Sequence, residues 1–559
     1  MVSDRRHGET TNRAPRAAVV GGGVAGLATS ILLAQEGYAV TVWEKNSVVG
    51  GRAGTLRADG FRWDRGPSWY LMPDAFEHFY RLLGTSADRE LDLVPLNDPA
   101  YRVYSGDHEP VDVVSGEDAA VELFESIEPG AGARLKKYLS EAAETYRLAV
   151  AKFLYTTFST PRFALDPEIL RRVPRLMTLL LGSMHGAVSR RFKDPRLRQI
   201  LTYPAVFLSN QPRKTPAMYG LMSHTDLVQG VLYPQGGFGT FVDSLVRLAE
   251  EAGVEIRTGT EVLGIDTVPT DRPRGSAGRR RNTAARRGSP SARANGVRVR
   301  GADGQERNEA ADVVVSAADL HHTETSLLPR GLRSRPENTW KLRNPGIGCV
   351  LAYLGVDGEL PQLAHHTLVF SKDWDPDFRA IFGAGSGSTG PARGSHSESV
   401  YVCRPSATDP SVAPAGKENL FVLIPVPARS DGPASGEPTV ERIVDQVIDL
   451  IGRRTGIPDL AERIVSRHTA GPGDFETEYH AWRGNALGLA HTLGQSAFLR
   501  GSNASRKVQG LYYAGSTTAP GVGLPMCLIS AENVIKRLRG DTSPGPLPEQ
   551  DTTEKTRRG

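Results

Sequence analysis

Cysteine is scarce in this chain. Cys349, Cys403 and Cys527 are the whole complement in 559 residues, they lie far apart, and none falls at a metal-ligand spacing, so neither a disulfide framework nor a zinc site is indicated. Long apolar runs are missing as well. No window reaches the 18 or so uninterrupted apolar residues that a membrane span needs, and the opening MVSDRRHGETTNRAPR has no apolar h-region. The expectation is a protein neither secreted nor spanning a membrane, for which a reducing cytosol fits. An excess of one charge is absent too. Lys and Arg number 67 against 63 Asp and Glu, a formal charge of +4, and Asp271 to Ala294 alone holds eight Arg against one Asp, a local +7, which leaves the rest at 4 − 7 = −3. Positive charge confined to one low-complexity stretch excludes a general affinity for nucleic acid. No HExxH or facial-triad spacing, no Ser/His/Asp arrangement and no internal repeat is found.

What the chain does have is length, glycine (60) and proline (38). At 559 residues it exceeds the size at which one core stops growing, so two domains are expected. From Ala17 a strand-like run leads into a glycine cluster, an apolar helix from Val24 to Glu36 closed by Gly37, and a second strand Ala39–Val42, a βαβ opening. Residues 134–198 read mainly as helix. Phe238 to Ala252 reads as another, followed by strand-like Val254–Arg257 and Glu261–Ile265. Asp271 to Ala294 reads as a disordered insertion in a hairpin that resumes at Gly296, Gly383 to Gly394 as a second irregular insertion, and the tail after Asp541 as unfolded.

Gly21-x-Gly23-x-x-Gly26 follows a strand and opens a helix, and Glu44 ends the next strand eighteen residues past the last glycine. These are the four parts of a dinucleotide fingerprint. Gly21 permits the turn, Gly23 lets backbone approach a pyrophosphate, Gly26 allows close helix–sheet contact, and the helix N-terminus offers N–H groups to phosphate. Glu44 would accept hydrogen bonds from ribose hydroxyls. Downstream stand Gly50-Gly51-Arg52 and Phe61-x-x-Asp64-x-Gly66-Pro67. Far away, Leu511 to Gly523 reads as a strand, a glycine loop with Gly515, Val522 and Gly523, and the start of a helix whose partial positive charge would stabilise negative charge on a ligand.

The segments Trp63–Pro73, Tyr233–Gly237, Ser316–His322, Pro405–Pro414 and Pro520–Met526 resemble, in order and at similar intervals, the bacterial phytoene desaturases, a branch of the amine-oxidase-like flavoproteins. The likeness runs from about Ala17 to Arg539, broken by the two insertions. It implies an α/β protein with a Rossmann-type FAD-binding domain assembled from discontinuous segments (16–100, 226–325 and 475–540) after a disordered 1–15 tail. A mixed α+β substrate and membrane-contact domain (101–225 and 326–474) would carry an apolar tunnel. Fingerprint and resemblance together give Gly21, Gly23, Gly26, Glu44, Gly51, Arg52, Gly66, Val262, Gly515, Val522 and Gly523 as the FAD set.

The implied reaction removes hydrogen from phytoene or a similar long isoprenoid. The hydrogens lost are allylic, so hydride departure to flavin N5 leaves a delocalised cation and no strong base is demanded. If an acid–base pair exists, the resemblance points to Glu168 and Arg171, one helical turn apart; a surface ion pair is the plain alternative. His321-His322 and His365-His366 read as structural, since adjacent strand residues point to opposite faces. No second complete nucleotide fingerprint is present, so oxygen or a membrane quinone would reoxidise the flavin. Arg171 to Arg191, with an apolar centre between basic flanks, fits an interfacial helix that would hold the enzyme peripherally on the inner membrane face in the cytoplasm, or equally a core helix with solvated arginine ends. Two other readings fit the same fold: a carotenoid oxidase or ketolase, and a flavin-free prenyl-binding chaperone like the guanine-nucleotide dissociation inhibitors. The intact fingerprint argues against the latter.

Overall fold

In the computed structural model, residues 13–160, 166–270, 290–383 and 394–549 are described. The run Arg16–Val20 is buried at its last four positions, the situation of a strand covered on both faces of a parallel sheet. It is the middle of five parallel strands in the order Leu511–Tyr513, Val313–Ser316, Arg16–Val20, Ala39–Trp43 and Glu255–Arg257. The helix Val24–Gln35 is buried from Val24 to Leu33 and packs against Phe238–Glu251 and Leu524–Arg539. An apolar surface nearly all round is what such a sandwiched helix requires. The sheet is therefore closed by strands separated by hundreds of residues, the discontinuous Rossmann-type arrangement expected.

A smaller sheet joins Glu261–Pro269, Ala292–Arg300, Glu306–Ala310 and Val508–Gln509. Here the hairpin departs from expectation. The returning strand begins at Ala292, and Ala292, Arg293 and Ala294 pair with Pro269, Val268 and Thr267; burial of Ala292 and Ala294 outweighs their arginine-rich context. Residues 271–289 and the Gly/Ser-rich 384–393 lie outside the described residues, as do the 1–12 tail and 550–559.

The third sheet has seven strands in the order Ile464–Ala470, Ile347–Asp357, Lys417–Pro427, Val400–Cys403, His366–Phe370, Tyr101–Ser105 and Val111–Val113. It is antiparallel except where His366–Phe370 runs parallel to Tyr101–Ser105. The two-residue period sorts its side chains. Val350, Ala352, Leu354, Val422 and Ile424 face the helix Pro438–Thr455 through Val440, Ile443, Val444, Val447 and Ile451. Leu351, Tyr353, Leu368, Phe370, Tyr401 and Phe421 face the opposite way, with the helical segments of 120–207.

The end of the chain is also ordered further than its composition suggests. Leu547 is buried and its N–H donates to Glu532 Oε1 at 2.5 Å. Lys536 Nζ donates to the Ser543 and Gly545 carbonyls, and Glu549 reaches His78. A buried lysine and glutamate need those partners, which ties 541–549 to the preceding helix.

Candidate active site

The loop after Arg16–Val20 is shaped by close approach. A Cβ on Gly26 would stand 1.9 Å from the Gly21 carbonyl oxygen, so only glycine lets the helix begin against its own loop. Gly21 has φ +98, a conformation that glycine reaches without strain. Gly23, the residue before the helix, meets nothing within 4 Å and faces a cavity of about 510 Å³. Glu44, 7 % exposed, accepts from the Gly22 N–H at 2.7 Å and the Asn46 N–H at 2.8 Å. The carboxylate thus fixes the glycine loop against the second strand, and Glu44 lines the same cavity. Gly21, Gly23, Glu44, Gly51, Arg52, Gly66, Val262, Gly515, Val522 and Gly523 all line that cavity; Gly26 packs behind it.

Arg52, two residues after Gly50, whose N–H donates to the Gly22 carbonyl at 2.8 Å, lines the same cavity. Its Nη2 donates to the Asn485 carbonyl at 3.3 Å and its guanidinium lies over the Tyr479 ring at 5.7 Å, yet its Nε is buried with no partner. Burial pulls the Arg52 pKa below the usual guanidinium value. An orphaned cationic donor beside an open helix N-terminus fits an anionic, phosphate-bearing ligand. Asp64, in the Trp63–Pro73 segment, has a different task. Its oxygens accept from Phe238 N at 2.9 Å and Gly239 N at 3.3 Å, which caps the helix Phe238–Glu251, and burial raises its pKa to about 6.

The second wall comes from the loop Gly515 to Gly523 and the start of Leu524–Arg539, whose first turn lines the cavity. A residue that sequence reasoning missed holds this loop. Arg500 is 1 % exposed and donates to four carbonyls, Thr518 at 3.0 Å, Ser516 at 2.6 Å, Leu489 at 3.1 Å and Gln495 at 3.2 Å. Desolvation lowers its pKa to about 10. No motif marks it, because an isolated arginine between loops looks solvated in sequence. His491 completes the brace. Its Nε2 accepts from Val522 N–H at 3.2 Å, which makes Nδ1 the protonated nitrogen facing Tyr219 Oη at 2.8 Å. Cys527 also lines the cavity, with its thiol pushed up to about 11 by burial, so it is a poor nucleophile toward any ligand there.

Beyond the glycine-lined end the cavity becomes apolar. Trp69, Leu71, Met72, Leu154, Val206, Phe207, Leu208, Leu368, Phe370, Trp374, Phe378 and Leu423 form its walls, contributed by the inner face of the seven-stranded sheet and the helices over it. One cavity is therefore lined both by the polar cradle and by these aromatic and aliphatic side chains.

Glu168 and Arg171 are not brought into it. Neither lines the cavity, and they do not pair with each other. Glu168 Oε1 accepts from Arg147 at 2.9 Å and lies 3.6 Å from Arg172, and Oε2 lies 3.9 Å from Lys152; these cations hold its carboxyl below the usual range. The reason is rotational: the helix Pro167–Leu181 turns Glu168 toward Ala131–Ala149 and Arg171 outward. The histidine pairs also depart from expectation. His322 sits in a helical turn and stacks on His480, ring centroids 3.9 Å apart. His365 precedes its strand, so its ring does not point opposite to that of His366; both are buried and their centroids are 4.6 Å apart.

Comparison with known proteins agrees with this geometry. The family model described as flavin containing amine oxidoreductase matches residues 24–537. A carotenoid 3,4-desaturase of Haloarcula japonica is 41% identical over 524 residues, 94% of this chain and 98% of the relative. A zeta-carotene-forming phytoene desaturase of Myxococcus xanthus is 34% identical over 528 residues, 94% and 93%. Among solved structures, an oxidoreductase from Methanosarcina mazei (TM-score 0.54, 16% identity, 93% of this chain and 100% of that one) and a putrescine oxidase with putrescine bound (TM-score 0.56, 14% identity, 94% and 99%) share the fold. A family match over residues 24–537, with a relative 41% identical over 94% of this chain, shows that the chain belongs to the flavin-containing amine oxidoreductase family.

Proposed function

We propose that this protein is an FAD-dependent carotenoid desaturase acting on phytoene or a similar long isoprenoid. The observation that carries the reading is the single cavity running from the glycine cradle to a wall of Trp69, Phe207, Phe370, Trp374 and Phe378. FAD, when bound, supplies the two-electron acceptor. Gly21, Gly23 and the first N–H groups of Val24–Gln35 would hold its pyrophosphate, Glu44 its ribose, Gly51, Arg52, Gly66 and Val262 its flanks, and Gly515, Val522 and Gly523 its isoalloxazine end. The helix starting at Leu524 sets partial positive charge at that end. The apolar wall desolvates and orients a polyene, gaining about 25 cal/mol per Å² of apolar surface removed from water. The proton lost from an allylic carbon next to a delocalised cation is acidic enough to leave without a dedicated strong base. The 41% identity to a carotenoid 3,4-desaturase favours a second reading, in which the substrate is an already conjugated carotenoid. Expression in cells supplied with phytoene or with a conjugated carotenoid, followed by product chromatography and spectra, separates the two. Unchanged carotenoids in both would defeat the proposal.

A substrate dissolved in lipid requires contact with a bilayer, and among the described residues no helix is long and apolar enough to cross one. On the helix Pro167–Leu181, Leu170, Val173, Met177 and Leu181 are exposed at 52%, 40%, 46% and 68%, and their spacing puts them on one stripe. This stripe supports peripheral attachment. The basic contribution is smaller than the sequence suggests, because Arg172 and Arg175 pair with Glu144 and Arg191 with Glu141. Arg171 and Arg190 are exposed and form no ion pair among the described residues. Oxygen or a membrane quinone remains the proposed final acceptor. Replacing the four stripe residues with Ser should release the protein from anionic liposomes with its FAD content intact. Undiminished binding would place the contact elsewhere.

A further inference from the structure

Below the cavity wall lies a cluster with no part in the reaction described. His366 and Cys403 are directly opposite partners in the antiparallel pair His366–Phe370 and Val400–Cys403, so their side chains share a face. His365 turns toward the same point. A ring nitrogen of each histidine and the Cys403 sulfur all lie within 4.8 Å of one another, and the three residues are 4 %, 0 % and 1 % exposed. Each histidine uses Nδ1 on a hydroxyl, His365 on Thr408 Oγ1 at 2.8 Å and His366 on Tyr401 Oη at 2.7 Å. Tyr401 is fixed in turn by Ser68 at 2.7 Å. Each histidine leaves Nε2 buried without a partner.

A buried ring nitrogen left without a partner on each histidine is costly unless something completes it. The pattern is that of metal-ligating histidine, in which an outer hydroxyl or carboxylate fixes the tautomer through one nitrogen and the other nitrogen binds. One ion at about 2.0–2.3 Å from three trigonal ligands separates them by about 3.5–3.8 Å, so the ligands need to approach by at most about 1.3 Å. The donors are soft and nitrogenous, with no carboxylate among them. A divalent ion on two neutral imidazoles and one thiolate would leave a net positive charge in an apolar interior, whereas a cuprous ion leaves the set neutral.

We propose that His365, His366 and Cys403 form a buried three-coordinate site for Cu(I). Binding exchanges the Cys403 thiol proton, released to solvent, for the metal–sulfur bond, with no change of oxidation state. The ion would tie the two strands together beneath Trp69, which stacks on His366 at 4.2 Å and lines the cavity.

The test loads FAD-containing protein anaerobically with Cu(I) against a cuprous chelator, and separately with Zn²⁺, and measures bound metal by mass spectrometry with X-ray absorption at the metal edge. About one copper per chain on two nitrogens and one sulfur is expected. Cys403→Ser should abolish uptake while keeping FAD content and the melting temperature of the metal-free protein. Thr408→Ala, which removes only the outer partner of His365, should weaken binding about ten- to hundredfold. Failure to load, preferential uptake of zinc, or copper retained by Cys403→Ser would each overturn the proposal.

Discussion

Gly23→Ala separates cofactor recognition from folding, because the structure allows the methyl group in the empty cradle. Gly23 has φ −73 and ψ 176, a conformation alanine adopts freely, and a Cβ there meets nothing within 4 Å. As the residue capping Val24–Gln35, alanine costs the helix below about 1 kcal/mol relative to glycine. The same methyl points into the space where a pyrophosphate would touch the backbone. Displacing one phosphate from a backbone N–H forfeits a charge-assisted hydrogen bond of about 1.5–3 kcal/mol, or about ten- to hundredfold in Kd. The assay is titration of FAD into apoprotein, followed by flavin fluorescence, beside a thermal melt of both proteins. Gly26→Ala is the contrast: its Cβ would collide with the Gly21 carbonyl at 1.9 Å, so that variant should lose the loop and melt early even without FAD. If Gly23→Ala binds FAD as the parent does, no phosphate packs against that Cα and the assignment of the cradle is wrong.

Glu44→Ala leaves the Gly22 and Asn46 N–H groups without their acceptor, and FAD affinity should fall by about tenfold or more; equal retention of yellow colour after gel filtration would exclude a ribose contact. Arg500→Met unpins four carbonyls at once, so flavin loss and early melting should come together, and a variant that keeps its flavin would show the loop to be self-supporting. Glu168→Gln should leave turnover within about twofold, since removing an exposed ion pair is worth at most about 1 kcal/mol, and a dead, folded variant would place Glu168 in the chemistry. Asp226 is buried against Tyr101 Oη at 3.0 Å and its pKa is raised to about 7. A folded value above the unfolded one means that its ionisation opposes folding, with a penalty that begins near pH 4, grows to about pH 7 and is full above. Asp226→Asn should therefore be more stable at pH 8, on the order of 4 kcal/mol, with the advantage vanishing toward pH 4; denaturant melts across that range that show no pH-dependent gap would refute it.

The cradle was legible because its chemistry is local. A strand, three glycines, a helix and a distant acid occupy about thirty consecutive residues, and backbone geometry dictates each residue type. Val19, Val20 and Leu27 announce burial by composition, and the parallel strands follow from it. Tertiary context took over where single residues carried contradictory signals. Arg293 looks like part of a charged insertion, but it lies between Ala292 and Ala294, whose burial against the Val508–Gln509 strand decides the pairing. Leu547 sits in a polar tail, yet its burial and its N–H on Glu532, with Lys536 bound to the Ser543 and Gly545 carbonyls, dock that segment.

The site beneath Trp69 shows the limit most sharply. His366 and Cys403 are thirty-seven residues apart with an unrelated Gly/Ser-rich stretch between them, so no spacing rule could join them. Their contact is set by strand register, and register is fixed by which face of Tyr401, Leu368 and Phe370 is buried. A one-residue slip would turn all of these side chains to the opposite face. It would at once put Phe370 and Tyr401 against the helix Pro438–Thr455, and Val369 and Val402 into the cavity. The apolar wall and the His/Cys cluster are thus consequences of one pairing. A substitution that shifts this register should damage polyene binding and metal uptake together, whereas Cys403→Ser should affect metal uptake alone.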